Sequence, residues 1–324
     1  MRTADIHWRY LGVVFVLSYW WQLVIWLTGG IDSALFPILM LFPAVVAIGF
    51  RLHTSAGFRN VGWGLSRWWY AAPALLTPVA VILAVAALIL ALDLATLSQR
   101  LFAYADGMVE IRQVPLVLGN RSQGLAFFAL NFLLSLLLQS CLGGVVSIGE
   151  EFGWRGYVQE KLLRRFGLHA GLLVLGVIWG LWHLPIGLMG WNFPDRPILG
   201  AFVLTPLSTV FMGVYLGWLY LRSRSIWVPT VAHAAMNLSA SVLFSEVEMR
   251  GDALPLQLSW IGAWGIVAAL CLTSLSRARP LLWQADPVAP EATGWQPARE
   301  TQRLHAGRAG DGWLRAQRRA EADE

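Results

Sequence analysis

The chain has 324 residues, 57% of them hydrophobic and 13% charged, with a mean hydropathy of +0.57. Soluble domains carry about 25% charged residues, so the composition excludes an ordinary soluble protein and points to an all-α polytopic membrane protein. The net charge of +5 rests on arginine, with Lys161 the sole lysine. It reads as compositional bias rather than a nucleic-acid surface, and no nucleic-acid partner is expected.

The opening stretch MRTADIHWRYLGVVFVLSYWWQLVIWLTGG is too long and too rich in Trp for a cleaved leader, and no small-x-small site follows. It is expected to stay as a first span. About 20 apolar residues cross a bilayer as a helix, which gives eight candidates: 10–28, 34–50, 70–92, 124–148, 170–190, 198–221, 226–245 and 256–275. The second is the shortest and contains Pro37 and Pro43. Residues 93–123 read as the longest loop. The expected domains are a membrane domain over 1–276 and a Pro/Arg/Glu-rich tail over 277–324 that stays disordered. Cys141 and Cys271 fall within apolar runs, where buried packing is the expected role. Gln22, Asn131, Ser135 and Gln139 read as interhelical hydrogen-bond partners. Trp8, Trp68, Trp69, Trp191 and Trp227 read as an interfacial belt.

Charge placement orients the partition. With a cytoplasmic N-terminus, all but five of the 24 basic residues fall in cytoplasmic segments. The five are Arg100, Arg112, Arg121, Arg196 and Arg250. The positive-inside rule then puts both termini in the cytoplasm, as an even number of spans requires. A bacterial inner membrane is the expected location.

Ionisable groups at membrane depth are costly and point to function. Three sets occur, each at helical spacing. In GEEFGWR, Glu151 and Arg155 share a helix face at i, i+4, while Glu150 points about a quarter turn away and is left unpaired. A desolvated, unpaired carboxylate suits a general base. In WGLWHLP, Trp179 and His183 lie one turn apart. In HAAMN, His233 and Asn237 do the same. At 1.5 Å rise per residue the three sets reach similar depths below the arginine-rich face. The fourth helix is then too long for one straight crossing, and it must bend near Gly143-Gly144 or run on as an amphipathic extension over 157–166.

In order, E-E-x-x-x-R, W-x-x-x-H and H-x-x-x-N resemble the pattern of the CPBP family, the CAAX-processing and bacteriocin-processing intramembrane proteases. The resemblance covers about residues 124–245. It departs at Trp179, where the family usually has Phe; an aromatic is kept, so the pocket shape is expected to differ and the chemistry to stand. The resemblance implies that Glu150 and His183 activate a water, that His233 and Asn237 stabilise the oxyanion, and that Glu151 and Arg155 support the site. It implies a peptide or protein substrate reaching the membrane lipid, and prenylated tails are substrates of the family's eukaryotic branch.

Two alternatives stay open on the residues themselves. Glu150, His183 and His233 also form a recognised zinc set with an open water position, although metal-independent water activation, with no cofactor, is favoured. A non-catalytic scaffold or immunity-type binding protein on the same fold would keep the spans without needing the three residues together. A proton-coupled transporter is disfavoured because no internal repeat is apparent.

Overall fold

The computed structural model describes residues 6–53, 57–65, 67–113 and 119–277. The expected disordered tail lies outside the described residues, apart from Arg277. Helix α1 is Ile6–Leu27, and a 3-10 stretch Phe36–Leu41 leads into α2, Phe42–Leu52. Pro37 and Pro43 each stand at the start of one of these segments, where the missing N–H has no intrahelical partner to lose. Helix α3 is Ala71–Ala91.

The stretch 93–123 is not a plain loop. It holds β1 (Ala95–Leu97), β2 (Phe102–Ala105), β3 (Met108–Ile111) and the start of β4 (Ser122–Gly124). Strands β2, β3 and β4 form an antiparallel sheet with Phe102 opposite Ile111 and Met108 opposite Gly124. Asp106 and Gly107, both at positive φ, make the two-residue turn between β2 and β3.

Helix α4 (Leu125–Gly153) runs without a break past Gly143-Gly144. Those two glycines face Ala234 and Thr230 and allow close packing rather than a bend. The helix continues through a π-helical turn at Trp154–Gln159 into α5, Glu160–Phe166. The amphipathic extension is therefore the arrangement found, and the π turn sits directly after the paired glutamates, a common mark of a functional segment. Helix α6 is Leu168–Trp182 and α7 is Leu184–Leu188. A short α8 (Pro197–Leu199) and a π turn at Gly200–Leu204 lead into α9, Thr205–Ser223. Helix α10 (Trp227–Glu246), strand β5 (Val247–Met249, paired with β1) and α11 (Leu254–Arg277) complete the described chain.

Each of the eight expected spans falls on helix. Among the described residues, five stretches are both long and apolar enough to cross a bilayer: Trp8–Leu27, Trp68–Ala91, Leu125–Phe166, Pro197–Ser223 and Leu254–Arg277. The other three depart for local reasons. Phe36–Leu52 is short and begins on prolines. Leu168–Trp182 is cut at His183. Helix α10 has the length but carries Thr230, His233, Asn237 and Ser239.

The two ends of the bundle differ. At one end Ile226 N–H donates to Gly62 O (2.8 Å), Arg67 Nη1 to Arg222 O (3.1 Å), and a guanidinium nitrogen of Arg51 to Gly156 O. This end gathers the arginine-rich loops. The opposite end carries both small sheets and the ion pair between Arg196 and Asp252. Cys271 is buried as expected, whereas Cys141 is exposed on α4. Its neighbours Leu137, Leu138, Leu142 and Val145 are exposed too, so this face meets lipid instead of core.

Candidate active site

Helix α6 is made to stop where a histidine is needed. Pro185 has no N–H, so Leu181 O loses its partner one turn back; the Tyr19 hydroxyl of α1 donates to it instead, at 2.6 Å. One residue on, the Gln22 side-chain amide enters the broken turn. Its Nε2 donates to Trp182 O (3.0 Å), and its Oε1 accepts from the Ile186 N–H (3.0 Å). The expected interhelical role of Gln22 is thus to splint the break. Asn131 and Ser135 behave differently: Asn131 donates to Gln123 of β4 (2.9 Å) and accepts from Ser135 (3.1 Å), which are local bonds at one end of α4.

His183 sits at the break. Its Nδ1 lies 2.8 Å from Trp179 O. A carbonyl only accepts, so Nδ1 carries a proton, and in the neutral ring Nε2 then keeps its lone pair. Trp191 stacks on the imidazole, ring centroids 5.1 Å apart and planes 8° apart. Trp191 therefore belongs to the site and not to the interfacial belt. Trp8, Trp68, Trp69 and Trp227 are exposed, in keeping with the belt.

From α4, Glu150 and Glu151 take different partners. Glu151 Oε1 accepts from Arg155 Nη1 at 2.8 Å and lies 2.8 Å from His233 Nδ1. All three residues are buried. A buried ion pair holds when its geometry is good, and removing one partner leaves an uncompensated charge, so this trio locks α4 to α10. Glu150 is not left free as the spacing suggested. Its Oε2 accepts the indole N–H of Trp179 at 2.6 Å. Among the described residues it has no ion-pair partner.

Trp179 is the common neighbour. Its ring lies under the Arg155 guanidinium at 4.9 Å and meets His233 edge-on at 5.4 Å. Phe at this position would keep the ring contacts and lose the donor to Glu150, so the departure from the family pattern reaches the chemistry as well as the pocket shape.

Glu150, Trp179, His183, His233 and Asn237 line one cavity of about 630 Å3. The first four are buried and Asn237 is open to the cavity. Glu151 and Arg155 stand behind the wall. From this floor the lining climbs α10 through Ser241 and Ser245 and continues over Trp191 to Asp195 and Ala253. These residues lie at the end away from the arginine-rich loops, so the cavity does not open toward the arginines. His169 bonds Ser276 and His53 is exposed, so neither takes part. His305 lies outside the described residues, as does the side chain of His7.

Among the described residues no three His, Cys, Asp or Glu side chains are grouped to hold an ion. Glu150, His183 and His233 share a cavity without closing on one point.

Residues 129–239 match the family model of type II CAAX prenyl endopeptidase Rce1-like proteins. A curated relative, CAAX prenyl protease 2 of Methanococcus maripaludis, is 31% identical over 99 residues, which cover 29% of this chain and 36% of the relative. The match thus spans about a third of the relative's length. The family-model match falls on the helices that bear the glutamate pair and the two histidines, so the motif-bearing core of this integral membrane protein is similar to type II CAAX prenyl endopeptidases.

Proposed function

We propose that the chain is an intramembrane endopeptidase that hydrolyses a peptide bond of a membrane-associated substrate, lipidated or not, with a water activated by Glu150 and His183. The observation that carries this reading is the single cavity lined by a glutamate, two histidines and an asparagine from α4, α6 and α10. Trp179 pins Glu150 Oε2, leaving Oε1 for the water; His183 offers Nε2 to the same water. Glu150 takes one proton as the water oxygen attacks the carbonyl carbon, then returns it to the leaving nitrogen as the C–N bond breaks.

The tetrahedral oxyanion needs donors. Asn237 supplies an amide N–H with no change of protonation. His233 donates from Nε2 only as an imidazolium, because Nδ1–H is committed to Glu151; the Glu151 carboxylate compensates that charge. Each such donor contributes a few kcal/mol, roughly 3 to 4 where one has been removed elsewhere.

The reading also has the chain in a bacterial cell membrane with both termini cytoplasmic, and acting without a metal. The test is comparison of peptide termini in cells carrying wild type or Glu150→Gln. A set of cleavages lost in the variant is expected, with purified activity down about 100- to 10,000-fold and thermal stability retained. Chelation with EDTA or phenanthroline is expected to leave wild-type activity unchanged. Wild-type behaviour of both Glu150→Gln and His183→Ala would make the protein a scaffold, and loss of activity on chelation, restored by zinc, would overturn the metal-free scheme.

A further inference from the structure

Outside the catalytic set, Asp195 is the one ionisable residue among the described residues that line the cavity, and no lysine or arginine does so. Its neighbour Arg196 is spoken for, being ion-paired with Asp252 across the mouth at the start of α11. Asp252 also accepts the Leu254 N–H at 2.9 Å, and this bond, then Arg196, holds its carboxyl below the usual carboxylate range. That pair is neutral. Asp195 is exposed, with no ion-pair partner among the described residues, and it gives the mouth a net negative charge.

Four aromatic residues stand near Asp195 among the small and polar ones. Trp191, Phe193, Phe244 and Trp260 share the lining with Asp195, and Trp191 is the ring stacked on His183. An uncompensated carboxylate among aromatic faces suits a cationic side chain, which gains from charge and from the ring quadrupoles together. A ligand carboxylate at the mouth would meet Asp195 with no lysine or arginine in the lining to offset it, and like-charge juxtaposition discriminates against a partner.

We propose that Asp195 is a specificity-determining residue: the cavity takes a membrane segment carrying a lysine or arginine near the bond presented to His183, and disfavours a free C-terminal carboxylate there. This rests on the endopeptidase reading for the cleavage it directs, but the recognition is separable from it.

The test uses the full chain in nanodiscs and a set of apolar model peptides. Lysine, norleucine or glutamate is scanned through one position at a time, and each peptide is made with a free and an amidated C-terminus. Binding is measured on Glu150→Gln and cleavage on the wild type. At one position the lysine peptide is expected to bind roughly tenfold tighter than its norleucine counterpart. That ratio falls to about one in Glu150→Gln/Asp195→Asn, and Asp195→Lys turns the preference toward glutamate, a gain that misfolding does not produce. Equal affinities for lysine and norleucine at every position, a ratio that survives Asp195→Asn, or tighter binding of free carboxylates than amides would each overturn the proposal. Charge-selective binding without Glu150-dependent cleavage would support the cation site and overturn the protease reading instead.

Discussion

Glu150 and Glu151 are adjacent in sequence and opposite in circumstance. Glu151 is held between Arg155 and His233, while Glu150 meets an indole N–H and the cavity. The i, i+4 spacing made the Glu151–Arg155 pair legible. Spacing along one helix said nothing of Trp179 as donor or of His233 as a second partner of Glu151, because both lie on other helices. The indole bond leads to a prediction. Trp179→Phe keeps the ring and removes the donor, and a hydrogen bond to a charged group is worth about 1.5–3 kcal/mol. If that bond holds Glu150 in place for attack, kcat falls roughly 10- to 100-fold while KM stays within about twofold. A fully active Trp179→Phe enzyme, or one whose loss lies in KM, would remove Trp179 as a positioning residue.

At the scale of elements, the spans were legible from apolar length, and their interruptions were legible only in part. The prolines at 37, 43 and 185 announce starts and breaks, yet the splint that Tyr19 and Gln22 place across the α6–α7 break joins residues about 160 apart. The hairpin at 102–111 did leave a local signal: Tyr-Ala-Asp-Gly-Met-Val holds an Asp-Gly turn between short β-formers. The pairing of β1 with β5 left none, since the strands are three residues each and 150 residues apart. Close helix packing had a signal too, Gly176 and Gly180 one turn apart on α6. A Cβ at Gly176 would intrude on the backbone of Val210 and Thr209 in α9, and the Thr209 hydroxyl donates to Gly176 O at 3.0 Å. Gly176→Ala is therefore expected to destabilise the protein by about 1–3 kcal/mol through overpacking. Gly12→Ala on α1, where a Cβ meets nothing within 4 Å, is the control and should be neutral or slightly stabilising. Equal melting temperatures for the two variants would show that α6 and α9 can part at little cost.

Across the whole molecule, charge and cavity point in opposite directions. The loops around Arg51, Arg59, Arg67, Arg164, Arg165 and Arg222 gather at one end, and the cavity climbs from Glu150 toward Asp195 and Ala253 at the other. The depth of each motif was readable from residue counts, but the open side was not. Which side is open depends on how the ends of α7, α10 and α11 close over the floor, and no helical period encodes that. If the positive-inside rule orients this chain, the mouth faces away from the cytoplasm, and a substrate must be presented from that side or from within the bilayer. Single-cysteine labelling in intact cells decides it. Cys141 and Cys271 are first replaced by serine or alanine, and Asn192→Cys at the mouth is compared with His53→Cys at the arginine-rich end. A membrane-impermeant maleimide is expected to label Asn192→Cys in intact cells and His53→Cys only after lysis. The reverse pattern would invert the chain in the membrane, turn the mouth toward the cytoplasm, and make cytoplasmic proteins the source of substrate. With the expected pattern, a basic residue read by Asp195 would stand on the outer side of the segment being cut, where bilayer-spanning proteins carry fewer such residues, and that scarcity would itself narrow the set of substrates.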